Sequence, residues 1–238
     1  MIDLIRNYWL YFLVGQYPEG PLGGLALTIL LGVAALALAV PLGVLLGLAR
    51  ASRFRLFSWP VGALVFIVRG TPLLMVIFWA YFFLPAVTGH ETSQFTTMLA
   101  ALVIFNGAYL AEIVRAGIQG IPPGQTECAR ALGLSYGQTM ASVILPQALR
   151  NMLPSLVGQL VTTLKETSLG YIIGLSEVSF IASQINAQVL TQPAEVYSIL
   201  ALSYFVLCFS LSRAGRALER RLASRTSAHV VAPAAEPA

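Results

Sequence analysis

Apolar segments about as long as a membrane-spanning helix make up most of this chain. A helix needs about 20 apolar residues to cross the hydrocarbon core of a bilayer. Only 10% of the 238 residues are charged, whereas about a quarter are charged in soluble domains. We therefore predict an all-α integral membrane protein with about five transmembrane helices, at Gly23–Leu48, Phe57–Leu84, Thr96–Val114, Leu153–Leu175 and Val196–Leu211.

The distribution of cations predicts how these helices are oriented. Arginines follow the first and fifth segments and lie at or between the third and fourth. The connections 85–95 and 176–195 contain no lysine or arginine. Because cytoplasmic loops of membrane proteins carry the excess of cations, we predict that the N-terminus lies outside and the C-terminus in the cytoplasm.

The two ends of the chain differ from the transmembrane domain, which we place at 23–217. Within 1–22, the aromatic-rich stretch Ile2–Val14 is typical of an amphipathic helix lying in the outer membrane interface. At the other end, 218–238 is predicted to be a cytoplasmic tail. Its last part is rich in alanine and proline, so we expect this tail to be disordered.

A polar hairpin, 118–148, connects the third and fourth segments. Pro123 suits the first turn of a helix, and Gly133 suits the left-handed conformation that ends one. Ser135 and Gln138 have the spacing of a capping box, which starts a second helix. We expect Pro146 to limit the extent of that helix.

The second helix of the hairpin has an apolar face that must pack against something. Tyr136, Met140, Val143 and Ile144 fall at helical spacing on this face. The pattern also resembles a DNA-binding helix-turn-helix. However, the would-be recognition helix Tyr136–Leu145 has no lysine or arginine for phosphate contacts, so we expect no nucleic-acid partner.

The hairpin resembles the EAA loop of ABC importer permeases. That loop has Glu-Ala-Ala, then Gly, Ile and Leu-Pro at fixed spacing. Here Cys128 replaces one alanine and Val143 replaces the isoleucine. The resemblance implies docking on a separate pair of cytoplasmic ATPase subunits, which bind ATP and rock the helices between inward-open and outward-open states. It assigns this coupling to Glu127, Ala129, Gly133, Val143, Leu145 and Pro146.

Three further stretches resemble permeases for polar amino acids, most closely the glutamate/aspartate type. They are Arg-Gly-Thr-Pro at 69–72, Ala-Tyr-Leu-Ala-Glu at 108–112 and Lys-Glu-Thr-Ser-Leu at 165–169. The resemblance implies a multi-pass protein of the bacterial inner membrane, surrounded by lipid. It also implies a periplasmic or surface amino-acid-binding protein and a second permease subunit, identical or related. Basic amino acids are the alternative substrate class.

Charged residues deep in a bilayer usually face a cavity or a partner. Arg69 and Lys165 lie about twelve residues into the second and fourth segments, at about 18 Å depth. Gln159, Thr162, Thr163 and Glu166 form a polar stripe on the fourth. Glu166 with Arg69 or Lys165 could bind the amino and carboxylate groups of an amino acid. Alternatively, Arg69 and Glu166 neutralise each other as a structural pair.

Two other features of the predicted substrate pathway have alternative interpretations. Pro72 should tilt or kink the second segment, and it leaves a backbone carbonyl near Val68 without its helical hydrogen bond. This carbonyl either contacts substrate or is capped by Thr71. Glu112 and Arg115 have the spacing of a local ion pair. The candidate substrate-pathway residues are Arg69, Thr71, Glu112, Lys165, Glu166, Thr167 and Ser168.

The sequence contains no glycine-rich phosphate loop ending in Gly-Lys-Ser/Thr. We therefore expect no cofactor in this chain, with ATP bound by the partner subunit. No set of side chains suggests a metal site, and no catalytic triad is apparent. A membrane enzyme and a passive channel are the competing function classes, and neither requires a hairpin that docks on an ATPase.

Overall fold

The computed structural model describes residues 2–52 and 54–227, with side chains for 4–52 and 54–220. Apart from two isolated bridges, Gly15–Leu22 and Gly24–Glu177, the regular structure in these ranges is helical. The helices are α1 Ile2–Val14, α2 Gly24–Ala51, α3 Arg55–Gly70, α4 Leu73–Phe78, α5 Leu84–Thr88, α6 Gln94–Gln119, α7 Pro123–Ala131, α8 Tyr136–Thr139, α9 Leu145–Glu166, α10 Val178–Val189 and α11 Pro193–Ser227.

Three of the described helices are long and apolar enough to cross a membrane: α2, α6 and α11. They correspond to the first, third and fifth predicted segments. The second predicted segment is not straight, because α3 and the stretch Leu73–Thr88 meet at an angle of 101°. The break falls at Thr71 and Pro72, as expected for a proline that lacks an amide donor and clashes with the preceding turn.

The fourth predicted segment, Leu153–Leu175, has the wrong boundaries. The α-helix begins at Leu145 and ends at Glu166, where a 3₁₀-helix, Thr167–Ile173, continues the chain. The expected stop at Pro146 is also wrong. A π-helical turn, Met140–Ile144, joins α8 to α9, so the proline lies in the first turn of α9 and is tolerated there. The count of five spans and their orientation remain predictions.

The N-terminal helix is as expected, whereas the C-terminal helix extends further than expected. α1 has the predicted bounds, and it buries Leu4 and Phe12 against Ile181 and Ile185 of α10. Its position at the outer interface stays a prediction. The described part of the expected disordered tail continues α11 to Ser227, because alanine, leucine, arginine and glutamate are strong helix formers. Residues 228–238 lie outside the described residues.

α2 and α6 form the centre of the fold and pack closely through glycines. A Cβ atom at Gly43 would lie 2.4 Å from the Leu110 Cβ. One at Gly47 would lie 2.6 Å from the Val114 Cβ and 2.8 Å from the Ala111 carbonyl oxygen. Such distances require small residues, which allow helix backbones to approach closely in membranes.

A buried carboxylate fixes the start of α10. Glu177 is fully buried, and its side chain accepts hydrogen bonds from the backbone amides of Ser179 and Phe180. The Tyr204 hydroxyl of α11 donates to the same carboxylate at 3.1 Å. This N-cap, which was not predicted from the sequence, therefore connects α10 with α11.

We expect Gly47→Ala to destabilise the protein by about 1–3 kcal/mol, because the backbone carbonyl of Ala111 cannot move away from the added methyl group. The thermal unfolding midpoint in detergent measures the effect. Gly62→Ala is the matched control, since the nearest atom to its Cβ is 3.8 Å away. Equal midpoints for the two variants would contradict this close packing.

Candidate functional site

The first helix of the hairpin ends as predicted. Gly133 adopts φ = 84°. Its amide donates to the Arg130 carbonyl at 3.0 Å, and the Leu134 amide donates to the Ala129 carbonyl at 3.2 Å. These two bonds form a Schellman motif, in which a left-handed residue satisfies the last carbonyls of a helix.

The second helix of the hairpin begins with the predicted capping box. The Gln138 amide donates to the Ser135 hydroxyl at 3.4 Å, and the Ser135 amide donates to the Gln138 side chain at 2.9 Å. The turn between α7 and α8 is therefore held by hydrogen bonds on both sides. This gives the hairpin one defined shape.

The apolar face of the hairpin packs against the C-terminal end of α6. Ile144 is buried in a cluster with Val114, Ile118 and Ile121, and Met140 and Val143 are partly buried against it. Tyr136, predicted on the same face, does not join this cluster and is 42% exposed. The hairpin is thus anchored to α6 by its π-helical turn, while the residues around the turn between α7 and α8 are exposed.

The predicted coupling residues fall into two groups. Ala129 is buried, and Val143 and Leu145 are half-buried, so these three maintain the hairpin. Glu127, Gly133 and Pro146 are exposed. Together with other exposed side chains around the turn, Glu127 and Gly133 form a surface that we call the hairpin tip, consisting of Glu127, Cys128, Leu132, Gly133 and Tyr136. Leu132 is 80% exposed and Tyr136 is 42% exposed, so the hairpin tip presents apolar surface.

A second candidate region lies between α6 and α9, around a fully buried Asn106. The Asn106 side-chain oxygen accepts hydrogen bonds from Gln159 and Thr163, each at 2.6 Å. Its amide group donates to Glu166 at 2.9 Å and to the Leu102 carbonyl at 3.0 Å. We call Asn106, Gln159, Thr163 and Glu166 the Asn106 cluster.

The Asn106 cluster contains three of the four residues of the predicted polar stripe. Thr162 is the exception, because it is exposed and its hydroxyl donates to the Gly158 carbonyl of its own helix. Sequence reasoning missed Asn106 itself. A side-chain amide inside the apolar segment Thr96–Val114 was the available signal, since polar groups at membrane depth usually have partners.

A third region is the ion-pair cluster around Glu112. Its carboxylate accepts from the Arg115 Nε at 3.0 and 3.1 Å, which confirms the predicted local pair. Arg50 of α2 also donates to it. The Arg69 guanidinium is 3.9 Å away and lies over the Tyr109 ring, 5.1 Å from its centre. One carboxylate thus faces three guanidinium groups.

The alternative in which Arg69 and Glu166 neutralise each other as a pair is wrong within this chain. The 101° break places Arg69 in the last turn of α3, beside Glu112, rather than in the middle of a straight helix. Glu166 is bonded to Asn106 instead. Lys165 is exposed on α9, where the described side chains give it no ion-pair partner.

The remaining predicted pathway residues bond to their own backbone. The Thr71 hydroxyl donates to the Ile67 carbonyl at 2.9 Å, and its amide donates to the Val68 carbonyl at 3.3 Å. Capping by Thr71 is therefore the interpretation that the structure supports. Thr167, which is buried, and Ser168 donate at 2.7 Å to the Leu164 and Lys165 carbonyls.

Polar residues recur along the two helices α6 and α9, and we call this line of residues the seam. A groove of about 330 Å³ lies between the two helices, lined by the polar residues Glu112, Asn151 and Ser155 and by apolar residues that include Ile113 and Met152. The Asn106 cluster lies on the same pair of helices, further along α9. The seam therefore runs from Glu166 to the residues that begin the hairpin.

Residues 39–224 match the family of binding-protein-dependent transport system inner membrane components. The chain belongs to this family. It is 39% identical over 203 residues to the arginine transport system permease protein of Bacillus subtilis, covering 85% of this chain and 92% of the relative. It is 36% identical over 238 residues to the glutamate transport system permease protein of Corynebacterium glutamicum, covering 98% and 87%.

A solved structure gives the same assignment for the fold. The chain superimposes on a crystal structure of an amino acid ABC transporter with histidines, with a TM-score of 0.81 at 32% identity, covering 92% of this chain and 97% of that one. The chain is thus an inner-membrane permease of the ABC importer type, and the resemblance inferred from the EAA-type hairpin is confirmed.

We expect Asn106→Leu to lower stability by about 1–3 kcal/mol for each buried polar group that it leaves without a partner. Gln159 loses the acceptor of its side-chain amide, and Glu166 loses the amide that donates to it. Thermal unfolding in detergent tests this. The control, Thr162→Ala, should stay within about 0.5 kcal/mol of the parent. An Asn106→Leu protein as stable as this control would show that the network does not hold the helices together.

Proposed function

We propose that this chain imports polar amino acids as the permease subunit of an ATP-driven transporter, with glutamate or aspartate the best-fitting substrates. The observation that carries this proposal is the hairpin, which has one defined shape, an anchored base and an exposed apolar tip. An ATPase pair in the cytoplasm would bind this tip and hydrolyse ATP. The family's dependence on a binding protein supports an external amino-acid-binding partner.

The connection between hairpin and seam supports a mechanism for coupling. α8 runs through the π-helical turn into α9 without a break in helical structure. A movement of the hairpin tip would therefore be transmitted along α9, which is about 33 Å long. Glu166, at the far end of α9, would move with it. The contact of Ile144 with α6 provides a second path.

The charges along the seam support an amino-acid substrate. Arg69 makes the longest of the three arginine contacts with Glu112, at 3.9 Å, and its side chain is 38% exposed. A substrate carboxylate can therefore bind Arg69 with a smaller loss of existing contacts than it would cause at the other two arginines. Glu166, held by Asn106, would bind the amino group. Three arginines against one glutamate favour acidic amino acids at this end of the seam.

Basic amino acids are the alternative substrate class, favoured by one observation. A relative that is 39% identical to this chain is named for arginine transport. In that case Glu166 and Glu112 would bind the substrate's cationic groups, and Arg69 would serve only its carboxylate.

A second permease subunit is part of the proposal, because the exposed face of α9 is polar. Asn151, Ser155, Thr162 and Lys165 are exposed along it. A charged and polar face is costly against lipid tails, so it would line a water-filled cavity or contact another subunit. A second copy or a related permease would close such a cavity.

Cys128 gives a direct test of docking, since it lies in the hairpin tip and the other cysteine, Cys208, is buried. In a Cys208→Ser background, a polar maleimide should label Cys128 readily in the isolated permease. With the copurifying ATPase at about ten times its Kd, labelling should slow about tenfold, because only the undocked fraction reacts.

The control places the single thiol elsewhere. Glu91→Cys, in a background with both native cysteines replaced by serine, lies in the exposed connection before α6 and should label at one rate with and without ATPase. Full reactivity of Cys128 within an intact permease–ATPase complex would show that the hairpin tip is not the docking surface.

A further inference from the structure

α11 is longer than a membrane requires. Its 35 residues extend about 52 Å, whereas the hydrocarbon core is about 30 Å thick. The stretch Pro193–Ser212 alone would cover about 30 Å. The helix continues without interruption past this point, and the first residue beyond it is Arg213.

The described part of this extension has a basic face. Arg213, Arg216 and Arg220 follow the i, i+3, i+7 spacing of one helix face, and all three are exposed. Arg213 lies over the Phe209 ring. Among the side chains that the structure describes, no acidic residue is in ion-pair contact with any of the three.

The opposite face of the extension is the one that packs on the protein. A Cβ atom at Gly215 would lie 2.2 Å from the Val157 Cγ1 atom of α9. Gly215 is separated from Arg213, Arg216 and Arg220 by about 160°, 100° and 140° around the helix axis. The arginine face therefore points away from the neighbouring helix of this chain.

We propose that Arg213, Arg216 and Arg220 form a binding surface for the headgroups of anionic phospholipids. The first arginine lies where a spanning helix would leave the hydrocarbon layer, and the others lie about 4–10 Å further along the axis, at the depth of the phosphates. Guanidinium groups form two parallel hydrogen bonds with phosphate oxygens. Cations near an anionic leaflet also gain electrostatic free energy.

The test measures phosphatidylglycerol binding to the delipidated full-length permease by native mass spectrometry. The double variant Arg216→Gln/Arg220→Gln should raise the Kd of the first-bound phosphatidylglycerol about fivefold for each arginine removed. Phosphatidylcholine binding should not change. The double variant Arg216→Lys/Arg220→Lys should keep most of the affinity for phosphatidylglycerol. Higher salt should weaken phosphatidylglycerol binding to the parent protein.

Arg6→Gln/Arg130→Gln is the matched control, because it removes two exposed arginines from other parts of the chain and should leave the Kd unchanged. An equal loss in this control would overturn the proposal, since the effect would then be one of net charge. Unchanged phosphatidylglycerol binding in Arg216→Gln/Arg220→Gln would also overturn it. So would a loss of ATPase copurification with lipid binding intact, which would assign the surface to a protein partner.

Discussion

The hydrogen bonds of one buried side chain, Asn106, hold the two helices on which the proposed function depends. Its amide donates to Glu166 while its oxygen accepts from Gln159 and Thr163. Asn106 is fully buried, so water does not replace these bonds, and breaking them leaves polar groups unsatisfied. α9 is therefore held in register with α6, and the charged seam and the hairpin keep a constant relation to each other.

This arrangement explains how ATP hydrolysis in a partner subunit could move side chains at the centre of the membrane. The hairpin is rigid because its turn is closed by a Schellman motif and a capping box. Its π-helical turn packs on α6 and leads directly into α9. In our proposal, ATP-driven movement at the tip moves α9 and α6 together, because the Asn106 cluster holds these two helices in register. The loose contact of Arg69 on α3 with Glu112 on α6 would then be made and broken in each cycle.

Features set by local chemistry could be predicted from the sequence. Gly133 and Ser135 determine a turn with their immediate neighbours, so its geometry followed from residue type and spacing. Features set by distant contacts could not. Pairing of Arg69 with Glu166 was one alternative, and a kink at Pro72 was expected. The 101° angle of the break and the position of Arg69 beside Glu112 were not predicted. The partners of Asn106 lie 53–60 residues away, and no local pattern shows such a pairing.

The central claim is that this chain carries polar amino acids at the expense of ATP. The most direct measurement is the uptake of a panel of labelled amino acids by cells with and without the gene, each before and after ATP depletion. We predict that the intact cells accumulate glutamate or aspartate against a gradient, and that deletion of the gene or ATP depletion abolishes this accumulation. A loss of uptake confined to basic amino acids would show that the seam binds this alternative substrate class. The account would be contradicted if gene-dependent uptake persisted without ATP and only equalised the amino-acid concentrations across the membrane. It would also be contradicted if deletion of the gene reduced the uptake of no amino acid.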